Sequence, residues 1–171
     1  MKTTWLAFSL IAVLLCSCAT TPPPPKNVPR HDALPEKLKL VYAGDAGRTE
    51  FLFENGAIVR HAYHPTDRGE KLVNTEYFVP TREQWLAFWK RAHQIQVWSW
   101  KTSYDPQDIG KVVFDGASWH LVLKYRGREI DTGGSNAGPK PGQPQKTTTD
   151  WDLWNKPLDD AMSILVPYRE E

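Results

Sequence analysis

Apolar residues recur along this chain with two periods, and the change of period marks its elements. A period of two puts alternate side chains on opposite faces of a strand, while recurrence at three and four marks one face of a helix. Lys37 to Ala43 is a β-prone run that stops at Gly44-Asp45-Ala46-Gly47. Thr49 to Glu54 and Ala57 to Tyr63 flank Asn55-Gly56, a dipeptide that accepts the positive φ of a two-residue hairpin turn. That turn sets Leu52 opposite Val59 and Phe53 opposite Ile58. Glu70 to Val79 predicts a further strand. Val112 to Phe114 leads into Asp115-Gly116, after which Trp119, Leu121, Leu123 and Tyr125 alternate along one face. Gly127 turns the chain and Arg128 to Thr132 returns. In that register Leu123 meets Ile130 on the core face, and Lys124 meets Glu129 on the other as an opposite-charge cross-strand pair.

The period lengthens twice. Thr81-Arg82-Glu83-Gln84 reads as a capping box with Pro80 just outside it. Trp85, Phe88, Trp89, Ala92 and Ile95 then form one apolar stripe, with Arg82, Glu83, Lys90, Arg91 and Gln94 on the wet face. Near the end, Trp151, Trp154, Leu158, Ala161, Met162 and Leu165 keep helical spacing, but Pro157 falls among them. Proline lacks the N–H of a helix interior. The pattern therefore predicts a turn near Trp151 to Trp154 and a helix from about Pro157 to Val166, with Asn155 as its cap. Gly133 to Thr149 is rich in Gly, Pro and Thr and reads as a long loop. The fold class is α+β: an antiparallel meander sheet of about six or seven strands, with one long helix (about residues 81–95) and a short C-terminal helix packed on one face.

The N-terminus follows another pattern. Lys2 precedes an apolar run from Trp5 to Leu15, shorter than the roughly 20 residues that span a bilayer and of the length of a cleaved signal's core. It ends in Leu15-Cys16-Ser17-Cys18. This resembles a bacterial lipobox, in which a small residue precedes an invariant cysteine: Ser17 before Cys18 fits, whereas Leu15 before Cys16 does not. The resemblance implies that Cys18 takes a diacylglyceryl group and becomes the first residue of a mature, membrane-anchored chain. A non-lipidated signal or an uncleaved anchor is the alternative. Cys16 and Cys18 are the only cysteines, so the mature domain would hold no disulfide and no cysteine ligand. Each buried lipid CH₂ contributes about 0.8 kcal/mol, and two or three chains anchor firmly. Ala19 stands where inner-membrane lipoproteins of double-membraned bacteria commonly carry Asp. The expected location is thus the cell envelope, on the periplasmic face of the outer membrane.

Ala19 to about Pro35 holds six prolines and little apolar surface. Pro22 to Pro25 favours polyproline II, extended at about 3.1 Å per residue, so this stretch reads as a tether. The organisation is then a signal peptide over 1–17, a lipidated cysteine and proline-rich tether over 18–35, and a single α+β domain over 36–171. The whole chain carries 21 basic and 20 acidic side chains, and loss of Lys2 with the signal balances them. With no basic stripe, nucleic acid loses its usual attraction, and the sequence implies no cofactor.

Val97-Trp98-Ser99-Trp100, Tyr104, Asp115-Gly116-Ala117-Ser118-Trp119 and Gly133-Gly134-Ser135-Asn136-Ala137-Gly138-Pro139 together resemble a group of uncharacterised bacterial envelope proteins. Those pair a DG-x-x-W strand start with a loop like G-S-N-A-Y-P. Gly138 replaces the usual tyrosine, and Lys140 to Asp150 is off pattern. The resemblance implies a fold and no chemistry.

Motifs for chemistry fail on inspection. Gly133 to Ala137 approximates a nucleophile elbow, and Gly133 to Gly138 has phosphate-loop spacing, but Pro139 and Pro141 forbid the helix both require. His61 and His64 lie three apart, on opposite faces of a strand unless Pro65 ends it. Asp105 and Asp108 read as solvated loop carboxylates, since no calcium-loop pattern surrounds them. No catalytic or metal-binding residue is assigned.

Eight tryptophans, all but Trp5 beyond the signal, are the remaining feature. Trp98 and Trp100 would share a face if their stretch is extended. Trp151 and Trp154 border the predicted loop, with Ser135 and Asn136 inside it. Exposed tryptophan anchors partners or stacks on sugar rings. The leading reading is a non-enzymatic envelope lipoprotein, a structural or protein-interaction module bound to the bilayer through Cys18. The alternative is a peptidoglycan or glycan binder that uses exposed tryptophan, and the third is an unrecognised envelope enzyme.

Overall fold

The computed structural model describes residues 23–26, 28, 30–113 and 116–167. The signal, Cys16, Cys18, the start of the tether and Asp115 of the DG-x-x-W string lie outside the described residues. Among the described residues, nine strands and two α-helices follow in the order β1 (Lys37–Gly44), β2 (Gly47–Glu54), β3 (Ala57–Thr66), β4 (Gly69–Phe78), α1 (Arg82–Gln94), β5 (Ser103–Tyr104), β6 (Ser118–Tyr125), β7 (Arg128–Ser135), β8 (Gly138–Lys140), β9 (Gln143–Thr148) and α2 (Trp151–Leu165). Seven strands make one sheet in the order β4-β3-β2-β1-β6-β7-β5, and β8 and β9 form a separate hairpin.

The α+β class and both helices agree with the pattern of the sequence, but the expected meander holds only through β1 to β4, since β1 also pairs with β6. Leu52 pairs with Val59 and Phe53 with Ile58. Leu123 pairs with Ile130 and Lys124 with Glu129. The sheet is mixed rather than wholly antiparallel, because β5 runs parallel to β7. Such a two-residue strand carries too little sequence to announce itself.

Both helices cover one face of the sheet. Thr81 caps α1, and the reciprocal bond from Gln84 completes the box. Trp85 sits edge-on to Phe53 of β2, 5.8 Å between ring centres. Trp89 stacks on Tyr125 of β6 at 3.9 Å, and its indole N–H donates to the Ala33 carbonyl at 2.7 Å. Ala33 is 0% exposed. Asp32 bonds Arg82 of α1 at 2.9 Å and Arg126 at 3.4 Å. The last residues of the proline-rich stretch, from Asp32, are therefore fastened to the domain.

Three stretches differ from the sequence pattern. Trp98 and Trp100 do not lie on an extended segment: Val97–Ser99 is a single 3₁₀ turn after Gln96, whose φ of 57° ends α1. The stretch from Gly133 to Thr149 is not a long loop. β7 continues to Ser135, and β8 and β9 pair through Gly138–Thr148 and Pro139–Thr147. The C-terminal helix starts at Trp151 and runs through Pro157 for 15 residues. A proline in a helix interior costs about 3 kcal/mol. Burial of Trp154, Leu158, Ala161, Met162 and Leu165 along one side of α2 offsets it.

Candidate functional site

α2 presents two stripes. Trp154, Leu158, Ala161 and Leu165 enter the core. A second set, Trp151, Asn155 and Asp159, with Met162 at the border of the two and Val166 just past the helix, recurs at spacings of four, four, three and four and lines a cleft. The floor of the cleft is the helix-covered face of the sheet, and its volume is about 690 Å³.

Register fixes the floor. Leu40, Phe51, Arg60 and Glu76 pair in one row across β1 to β4, and Tyr42, Thr49, Ala62 and Asn74 in the next. Residues two apart share a face. The first row is apolar where it enters the core at β1 and becomes charged towards the β4 edge. There Arg60 donates to Glu76 at 3.0 Å. Such alternation of an apolar and a polar strand half occurs where helices stop covering the sheet.

Asp159 is the centre of the polar wall. It accepts from the Tyr42 hydroxyl at 3.0 Å and from Asn155 Nδ2 at 2.5 Å. Burial holds its carboxyl above the ordinary range, because desolvation disfavours the charged form; the bonds from Tyr42 and Asn155 and the nearby Lys156 oppose this, and Asp160 adds to it. Asn155 is only 5% exposed, yet its Oδ1 meets no donor among the described residues, and Arg60 Nε likewise meets no acceptor. Buried polar atoms without partners are uncommon in native proteins. Trp151 stands at the lip, 43% exposed, with its ring edge against Trp154 at 4.7 Å.

The predicted site residues separate. Trp154 is 2% exposed and stacks on Trp119 at 5.5 Å. Trp100 is buried and its indole N–H donates to the Ile95 carbonyl at 3.0 Å. Trp98 is half-buried between Trp89, at 6.3 Å, and the Arg128 guanidinium at 5.3 Å. Trp151 alone of these four is exposed. Ser135 is exposed at the end of β7, and Asn136 follows with a φ of 54°, its side chain against Gly116. Neither reaches the cleft. Gly138, where the resemblance has tyrosine, lies under the Trp154 ring, and a Cβ there would stand 2.5 Å from it. No larger residue fits.

The groups weighed for other chemistry have structural work. Asp105 and Asp108 cap a 3₁₀ turn over Pro106–Ile109. Both are exposed, as the sequence suggests, and Asp108 in addition accepts from Lys101 Nζ and from the Thr147 hydroxyl, each at 2.6 Å, and so ties β9 to that turn. Lys101 first, then Thr147, pull its pKa down to about 2. His61 bonds the Thr75 hydroxyl at 3.0 Å across the β3–β4 ladder. Among the described residues no group of three or more His, Cys, Asp or Glu is placed to hold a metal ion.

Sequence reasoning missed Tyr42, Arg60, Glu76, Asn155 and Asp159. A signal for the last two was present, since Trp151, Asn155 and Asp159 share helical spacing. Ending the predicted helix at Pro157 concealed it. Comparison with protein families, with curated proteins and with solved structures finds no match to this chain.

Proposed function

We propose that this chain is a bacterial envelope lipoprotein, exported by its N-terminal signal and anchored through diacylglycerol on Cys18, whose domain is a non-enzymatic binding module. The cleft beside α2 carries this reading: a concave, half-apolar site of ligand size with a few convergent polar groups. Its chemistry suits holding rather than turnover. The one hydroxyl on its helical wall, Ser163, donates to the Asp160 carbonyl at 2.9 Å rather than to a base.

Two measurements test the proposal. Metabolic labelling with an alkyne fatty acid is expected to mark the native chain and the Cys16→Ser variant and to leave Cys18→Ser unmarked; label on Cys18→Ser overturns the anchor. The full chain in detergent is expected to co-sediment with lipid-free sacculi, either bare or still carrying envelope proteins. Ser163→Trp, which fills the cleft, is expected to abolish this while the thermal melt stays cooperative. Absence of association with either fraction overturns the binding role.

A further inference from the structure

The cleft's chemistry narrows its ligand, given that the domain is a binding module at all. Arg60 is already neutralised by Glu76 at 3.0 Å. The remaining charge is the Asp159 carboxylate, which repels carboxylate and phosphate ligands. An ionised carboxylate has about four acceptor positions. Tyr42 and Asn155 use two, which leaves room for two donors from a ligand.

Two further atoms constrain those donors. Asn155 Oδ1 needs a donor and Arg60 Nε needs an acceptor. An ammonium group donates but cannot accept, and a carboxylate accepts but cannot donate. A hydroxyl does both. Neither atom is exposed to solvent, so engaging them takes a side-chain rotation on binding. The walls add apolar contact: Trp151 is an exposed ring, and Phe51 and Phe78 line the same cleft. An extended peptide would also bring donors and acceptors. It would need free backbone groups to pair with, and β2 and β3 under the cleft are paired on both sides, which leaves only the outer edge of β4. Trp151, Asn155 and Asp159 stand on α2, so recognition by them runs through side chains.

We infer that the cleft is a subsite for a neutral glycan, with one sugar ring stacked on Trp151 and its hydroxyls bonded to Asp159 and Asn155. Isothermal titration of the full chain in detergent tests this, with chitotetraose and cellotetraose as neutral probes and trilysine and triglutamate as charged ones. Saturable binding of a neutral oligosaccharide is expected, weakened at least tenfold by Trp151→Ala and separately by Asp159→Asn, each with an unchanged circular dichroism spectrum. Sugar binding that both variants retain overturns the site. Trilysine or triglutamate binding with the sugars silent overturns the ligand class. Silence of all four probes overturns the inference too. In the last two cases the binding-module reading survives if Ser163→Trp still releases the chain from envelope fractions.

Discussion

The two helices lie on the same face of one sheet, yet the surfaces beside them differ in kind. Around α1, aromatic rings meet edge to face or in stacks, from Phe53 through Trp85 and Phe88 to Trp89 and Tyr125. Beside the second stripe of α2, the same sheet shows an ion pair, and the helix sets a raised carboxyl over a cleft. The difference teaches that the domain's stability and its binding capacity are held by separate parts of one layer. A well-packed core tolerates neither gaps nor extra atoms. A site that holds polar groups short of partners draws on that core for its stability.

Substitutions can break or sharpen this contrast. The largest effect belongs to the α1 side. Trp85→Ala removes a fully buried ring between Phe53 and Phe88 and is expected to cost about 3–5 kcal/mol in denaturant unfolding. A cost below 1 kcal/mol would mean that this side is looser than its packing implies. Gly138→Ala tests the packing of α2's core stripe. Its Cβ meets the Trp154 ring at 2.5 Å, and overpacking of this kind costs about 1–3 kcal/mol. Unchanged stability would show that α2 shifts freely over β8.

Asp159→Asn tests the cleft, and its sign is opposite. Burial raises the folded carboxyl above its unfolded value, so the folded state binds the proton more tightly. That costs stability at neutral pH, and the cost disappears as the pH falls through the folded pKa. The variant is expected to melt no lower than the native chain at pH 7, with any advantage vanishing by about pH 4. A clear fall in melting temperature at pH 7 would instead make Asp159 a net stabiliser through Tyr42 and Asn155. The smallest effect lies outside both regions. Lys124 bridges Glu129 at 3.7 Å and Glu36 at 3.6 Å on the open face of the sheet. Lys124→Ala is expected to change stability by about 1 kcal/mol or less.

Local rules carried a good part of this architecture. Asn55-Gly56 set the β2–β3 register, Gly127 set β6 against β7, and Thr81 with Gln84 started α1. Each is decided by residues within four positions of one another, so no distant contact can easily override it. The misreadings share the opposite cause. Pro157 stays helical because Trp154 and Leu158 are buried by strands far away in sequence. The stretch after Gly133 pairs because Thr147, Lys101 and Asp108 meet across nearly forty residues or more. Trp98 and Trp154 look alike in sequence to Trp151, and only the packing around each sets its exposure.

The sequence by itself determined β1 to β4, β6 and the start of β7, the turns between paired neighbours, the start of α1 and the apolar stripe that each helix buries, because periodicity and turn chemistry are short-range. It also contained the Leu15-Cys16-Ser17-Cys18 string on which the proposed anchor rests. Only the tertiary structure decided which face of α2 lines the cleft, and hence that Tyr42, Asn155 and Asp159 meet. Tyr42 and Asp159 are 117 residues apart, and no local rule connects them. What joins them is the layer of helix on sheet, which buries one stripe of α2 and leaves the other facing a cleft.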